Sequence, residues 1–389
     1  MHLIGHILLV GSIIRAVISD SFGDALASEN PAKILDRQIV GDFAKTDAVA
    51  ISEDLLTADY RVTEIIRAIL SANARVWILV RPKSDAAQIK KKLLSAGLSP
   101  GEIAGVSFTK IAHGGPWLRD YGPLFVIEKG LLRGADKPTL ALADPRYRDP
   151  EDPSSDIVPQ VLAGILKVPV IPLPFDLDGG NLLTSGQMCL TSHMAGGGPV
   201  ATNLEEALRN VGCKTVLDLD NAPHVHVDMW VKVASPDLAL VHELDERTVA
   251  VARRYFGGLP DDLARLKVVL DEKAKVISQH MRVRRLPLPL PFRNVFRSYT
   301  NALLVNGTAI VPRFKYFGWT RDIYPDDTLN GQYERTVEKV YKEAGFRVVW
   351  VNADGLIYNG GGFRCASFQI PRLASIISHR KGSPGGGTL

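Results

Sequence analysis

The chain has 389 residues, 46% of them apolar and 23% charged, an ordinary balance for a globular protein with a large core. Its formal charge of +4 comes from 46 basic and 42 acidic residues mixed along the sequence, which gives nucleic-acid binding no support, and no apolar run reaches the roughly 18 residues that span a bilayer. Three cysteines, Cys189, Cys213 and Cys365, are too few and too far apart for a disulfide framework or a four-thiolate metal site. At least one is unpaired. Cys365 is the candidate reactive thiol, and the other two read as core residues.

Residues 1–30 admit two readings. Leu3 to Ile18 is mostly apolar, and Ala25-Leu26-Ala27 has the small-x-small form of a signal-peptidase site. Against export, no Lys or Arg precedes the apolar stretch and Arg15 interrupts it. A cleaved export signal and an N-terminal extension of a cytoplasmic protein both stay open.

From about residue 40 to 378 the pattern is regular and reads as a single α/β domain. Asp47 to Ile51 and Arg75 to Val80 are apolar strands, Ala58 to Ala72 and Ser84 to Ala96 have helical spacing, and Val106 to Ile111 is a third strand. The rhythm returns three more times, the last over Tyr333 to Val351, at very roughly seventy residues per cycle, which suggests a structural repeat. The Pro-rich stretch Leu286 to Pro291 reads as an extended loop, and residues 379–389 as a frayed tail.

Several short constellations carry chemistry. Trp117-Leu118-Arg119-Asp120-Tyr121-Gly122-Pro123 places a carboxylate in a turn after a strand, with Trp117 able to cover a bound cation through its π face; Arg119 and Asp120 can equally pair with each other. Asp178-Gly179-Gly180-Asn181 adds a second carboxylate in a tight turn. His224, His226 and Asp228 alternate as along a strand, so they are expected on one face, as metal ligands or as an acid/base His beside a carboxylate. The metal reading needs further ligands, and His193 and His242 are the nearby ones. Ser298-Tyr299-Thr300-Asn301 enters another apolar strand. Asn359-Gly360-Gly361-Gly362-Phe363-Arg364-Cys365 follows one, with glycines that let another chain or a ligand approach closely. Two or three carboxylates, one or two His and one thiol match a planar cation, since a guanidinium offers five N–H donors to carboxylates and an electrophilic carbon to a thiol.

In this order, W-x-R-D-x-G-P at Trp117, G-G-N at Gly179, H-x-D at His226, S-Y-x-N at Ser298 and the Gly-rich turn before Cys365 resemble the guanidino-group-modifying enzymes, nearest the bacterial peptidylarginine deiminase and agmatine deiminase group. The resemblance runs from about residue 45 to 375. It implies a five-bladed α/β propeller (pentein) of ββαβ units around one polar channel. It also implies Cys365 as nucleophile, His226 as general acid/base, and Asp120 and Asp228 as guanidinium-binding carboxylates. Trp117, Arg119, Asp178, Asn181, Asn301 and Gly361 are expected at the substrate, and no metal or organic cofactor is expected. The reaction would pass through a covalent thiouronium. Two departures matter: Asp178 stands where agmatine and free-arginine deiminases carry Glu, and Arg364 stands where agmatine enzymes carry His. Arg146 and Arg148 match an R-x-R pair that resembles a clamp for the α-carboxylate of a C-terminal arginine; a solvated loop pairing with Asp144, Asp149 or Asp152 is the competing reading. The substrate expected is arginine within or at the end of a peptide, with agmatine or another small guanidine as the alternative. A metal-dependent hydrolase on His224, His226 and Asp228 is the alternative of another class. The sequence does not fix an oligomeric state.

Overall fold

The computed structural model describes residues 36–56, 61–129, 138–149, 152, 154–192, 204–219, 223–224, 226–291, 295–315 and 328–372. The signal-sequence or extension reading of residues 1–30, the tail at 379–389 and His193 lie outside the described residues. In chain order the strands are β1 (Asp36–Ile39), β2 (Thr46–Ser52), β3 (Arg75–Val80), β4 (Val106–Lys110), β5 (Leu124–Lys129) and β6 (Thr139–Arg146). There follow β7 (Val170–Asp176), β8 (Leu182–Thr184), β9 (Met188–Thr191), β10 (Thr215–Asp218), β11 (Val231–Ser235) and β12 (Leu238–Glu243). The last are β13 (Arg282–Pro287), β14 (Leu303–Val305), β15 (Thr308–Arg313), β16 (Arg347–Asn352) and β17 (Ser367–Pro371).

Among the described residues these strands form five sheets, ordered β1-β5-β6-β7, β10-β9-β8, β11-β12-β13, β14-β15-β16 and β17-β2-β3-β4. Each sheet contains the same unit. One strand runs antiparallel to the next, which pairs in parallel with a third: β5-β6-β7, β8-β9-β10, β11-β12-β13, β14-β15-β16 and β17-β2-β3. A parallel step needs a crossover, and a helix lies in each one. The helices Val158–Leu166, Leu204–Asn210, Thr328–Glu343 and Val62–Ser71 fill four crossovers, and the pair Glu246–Phe256 and Asp261–Ser278 fills the fifth. Val62–Ser71 buries Val62, Ile65, Ile66 and Ile69, one stripe at helical spacing, against the sheet. The helix expected from Ser84 starts at Ala86, where the Asp85 side chain accepts the Ala87 N–H and caps it. The class is mixed α/β, as expected. In the fifth sheet β17, near the end of the described chain, pairs with β2, near its start.

Two expectations are corrected. His226 to Trp230 do not form the expected strand: Val227–Met229 is a 3-10 turn and β11 begins at Val231. The Asn181 side-chain oxygen accepts the Val227 N–H at 3.3 Å, and Met229 N–H bonds to His226 O at 3.2 Å, so these backbone groups are satisfied without a sheet partner. Cys189 and Cys213 are core residues, fully buried, but they are also bonded to each other, with Cα atoms 5.5 Å apart. The two cysteines, 24 positions apart in sequence, are brought together by the crossover that returns β10 alongside β9.

Each of the five three-strand units is preceded by a segment of turns or a single helical turn, before β5, β8, β11, β14 and β17. The five constellations of the sequence fall in these five entry segments.

Candidate active site

Cys365 lies in the entry to β17, after the short helix Asp354–Tyr358 and the three glycines. Each glycine is required for a separate reason. Gly360 has φ of 95°, a left-handed backbone; a Cβ on Gly361 would collide with the Trp117 ring; and one on Gly362 would sit 2.7 Å from Asn301 Oδ1. The thiol is buried, with 4% exposed, and Asn301 Nδ2 approaches its Sγ at 3.1 Å. Asn301 Oδ1 accepts the N–H groups of Arg364 and Cys365 at 3.0 and 3.1 Å, so one side chain fixes the turn and the sulfur together. The Asn301 segment is itself held from behind. His242 Nε2 accepts the N–H groups of Tyr299 and Thr300, while burial lowers its pKa to about 3 and keeps the ring neutral.

Asp228 is fully buried, with its two oxygens 3.9 and 3.8 Å from Cys365 Sγ and Oδ2 2.8 Å from Arg364 Nη1. His226 stands between two further carboxylates, Asp120 at 3.6 Å from Nδ1 and Asp178 at 3.0 Å from Nε2. Burial works against its charge, yet Asp120 and Asp178 overcome it and raise its pKa to about 9. Burial, helped by Asp178 and Asp228, raises Asp120 to about 7 against the pull of His226. Asp120 Oδ1 is buried with no hydrogen-bond partner among the described residues. A Cβ on Gly180 would lie 2.6 Å from His226 Nδ1 and 2.7 Å from Asp120 Oδ1, so this glycine lets the pair approach. Burial and the charges of Asp228 and Asp120 push the Cys365 thiol well above its ordinary value, against hydrogen bonds from Gly362 and Asn301.

The H-x-H-x-D ligand set is not assembled. His224 packs on Phe296 with ring centroids 5.0 Å apart, His226 lies between Asp120 and Asp178, and Asp228 turns toward Arg364 and Cys365. Burial lowers His224 to about 4.

A family description, the Porphyromonas-type peptidyl-arginine deiminases, matches residues 37–371. The chain belongs to this family. It is thus a guanidino-group deiminase, a hydrolase of C–N bonds other than peptide bonds. An agmatine deiminase of Pseudomonas aeruginosa is 24% identical over 319 residues, covering 71% of this chain and 79% of that protein. The fold is that of an agmatine deiminase from Enterococcus faecalis (TM-score 0.65, 17% identity, 87% of this chain and 96% of that one). It is shared by one from C. jejuni (TM-score 0.62, 16% identity, 88% and 99%).

Within this deiminase, several residues expected at the substrate make contacts to the protein itself. Arg119 does not pair with Asp120: it is buried, donates to Gln369 Oε1 at 2.7 Å, and its backbone N–H bonds to Cys365 O. Asn181 exchanges hydrogen bonds with Ser192 and steadies Val227, so it shapes the His226–Asp228 turn. Asn301 is fully buried on the turn it holds. Trp117 lies against the Gly361 backbone. Arg146 and Arg148 are at the surface, 48% and 66% exposed in their side chains, and both ion-pair with Asp176, at 3.1 and 3.2 Å. Tyr147 between them is half buried, stacked edge-on against Tyr121 and within electrostatic reach of Asp120 and Asp178. Sequence reasoning passed over Tyr147, although strand alternation between two exposed arginines places it on the opposite face. It also passed over Asp42, Lys232 and the partners of Arg364, for which no local signal exists.

Proposed function

We propose that the enzyme converts an arginine at the end of a peptide to citrulline and ammonia through a covalent intermediate on Cys365. The observation that carries this reading is the meeting of a thiol, a carboxylate 3.8 Å from it and a charged His flanked by carboxylates at one buried place. The guanidinium enters between Asp228 and Asp120, whose Oδ1 lies 3.6 Å from His226 Nδ1 but makes no hydrogen bond among the described residues and can accept one of its N–H groups. A cation there offsets the two carboxylates that hold the thiol protonated, so binding favours the thiolate, its proton passing to solvent because His226 is already protonated. Sulfur attacks the guanidinium carbon. The tetrahedral adduct collapses as His226, protonated at neutral pH, gives its proton to the departing nitrogen, and ammonia leaves a thiouronium. Water then attacks the same carbon while His226 takes its proton. The carbon–sulfur bond breaks, releasing a ureido group and restoring the thiol. Asp178 is the more exposed partner of His226, 44% against 13% for Asp120, and so is the one that yields Nε2 to ammonia or water.

Two arginine forks meeting on one carboxylate at the surface support a C-terminal arginine, whose α-carboxylate they can bind bidentately. Arg148→Ala is expected to lower kcat/KM roughly ten-fold or more for a peptide ending in arginine, and to leave its C-terminal amide and agmatine unaffected. An equal effect on all three, or none, removes the clamp. The names of the relatives favour a second reading, agmatine itself. Ammonia release by wild type from agmatine and not from the peptide would establish it.

A further inference from the structure

The residue before the nucleophile carries an unusual load. Arg364 is buried, with 3% exposed, and its Nε, Nη1 and Nη2 all donate to acceptors within the protein. Its guanidinium meets four acceptors in three different entry or loop segments: Asp42 Oδ2 at 2.6 Å, Asp228 Oδ2 at 2.8 Å, Gly179 O at 3.3 Å and Leu182 O at 3.0 Å. Its backbone N–H meets Asn301 from a fourth. Asp42 also receives Lys232 Nζ at 3.0 Å, on a lysine with no exposed surface. Burial favours the neutral acid, yet Arg364 and Lys232 hold the Asp42 carboxyl far below the carboxylate range, and burial lowers Lys232 to about 8. The result is a chain of opposite charges, Lys232, Asp42, Arg364, Asp228, that ends 3.8 Å from the sulfur. A buried carboxylate without a partner is costly; Arg364 holds Oδ2 of Asp228 and so fixes the whole carboxylate, whose Oδ1 and Oδ2 lie 3.9 and 3.8 Å from the sulfur, with Oδ1 outside the Arg364 ion pair.

We propose that Arg364 is a positioning residue whose fork aims Asp228 Oδ1 at the substrate cation, anchored at its far side by Asp42 and Lys232. The inference rests on the reading of Asp228 as a guanidinium-binding carboxylate. A lysine keeps the charge but not the fork, so geometry and charge can be separated.

The test compares alkylation of Cys365 by 2-chloroacetamidine, a small planar cation, with alkylation by the neutral 2-chloroacetamide. In wild type the cation should react faster than its intrinsic reactivity explains. If it does not, the reading of the site fails and Arg364 is not at issue. In Arg364→Gln and Arg364→Lys the ratio of the two rates is expected to fall roughly ten- to hundred-fold while the neutral reagent still labels a folded protein. Should Arg364→Gln fail to fold, Arg364→Lys still decides the question. A ratio unchanged in Arg364→Lys would leave Arg364 as a charge and no more, and a rate loss equal for both reagents would make it a packing residue; either overturns the proposal.

Discussion

His226 and Asp120 form the pair on which proton transfer turns. Asp120 ionises at about 7 and His226 loses its proton at about 9, so the carboxylate and the imidazolium coexist between those values. Below the window Asp120 is neutral and grips a cation poorly; above it His226 has no proton for the leaving ammonia. The profile of kcat/KM against pH is therefore expected to rise through about 7 and fall through about 9, as two apparent values that belong to the cluster. Asp120→Asn should abolish the acidic limb together with most of the activity. Retention of that limb in the variant would assign it to another group.

At the scale of elements, the turn Gly179–Asn181 is held to its shape by three contacts, since Gly179 abuts the Arg119 carbonyl, Gly180 abuts His226 and Asp120, and Asn181 reaches Ser192. Gly180→Ala would drive a methyl between His226 and Asp120. An activity loss of about a hundred-fold is expected, with near-unchanged melting temperature, because the turn is backed by Asn181 and not by that gap. Full activity in the folded variant would contradict the pairing.

Much of this level could be read from sequence. The strand Arg75–Val80 coincides with its apolar run, and the glycine run before Cys365 announced close approach. The turn at Val227–Met229 could not be read, because its cause is an amide oxygen 46 residues earlier in the chain. Nor could the bonding of Arg364 to Asp42, 322 residues apart, or of Cys189 to Cys213, since alternation and spacing report only on near neighbours.

Over the molecule as a whole, the five entry segments each deliver one part: Asp120 ahead of β5, Asp178 ahead of β8, His226 and Asp228 ahead of β11, Asn301 ahead of β14 and Cys365 ahead of β17. Residues far apart in sequence meet because each sheet repeats one connection, which places its entry at the equivalent end. That arrangement explains why each motif is an ordinary turn by itself and why their order carried the family resemblance. The same convergence gathers charge, with Asp42, Asp120, Asp178 and Asp228 facing Arg119, Lys232, Arg364 and a protonated His226. An incoming guanidinium enters a cluster already near balance, and the thiol is the group whose proton its arrival displaces.

The most direct measurement is ammonia release from a short peptide ending in arginine by wild type and Cys365→Ser side by side, with mass spectrometry of the quenched wild-type enzyme. Release by wild type, its loss in the variant, and a transient adduct on Cys365 are expected. Release undiminished in Cys365→Ser would contradict the thiol mechanism and everything built on the meeting of Cys365 and Asp228.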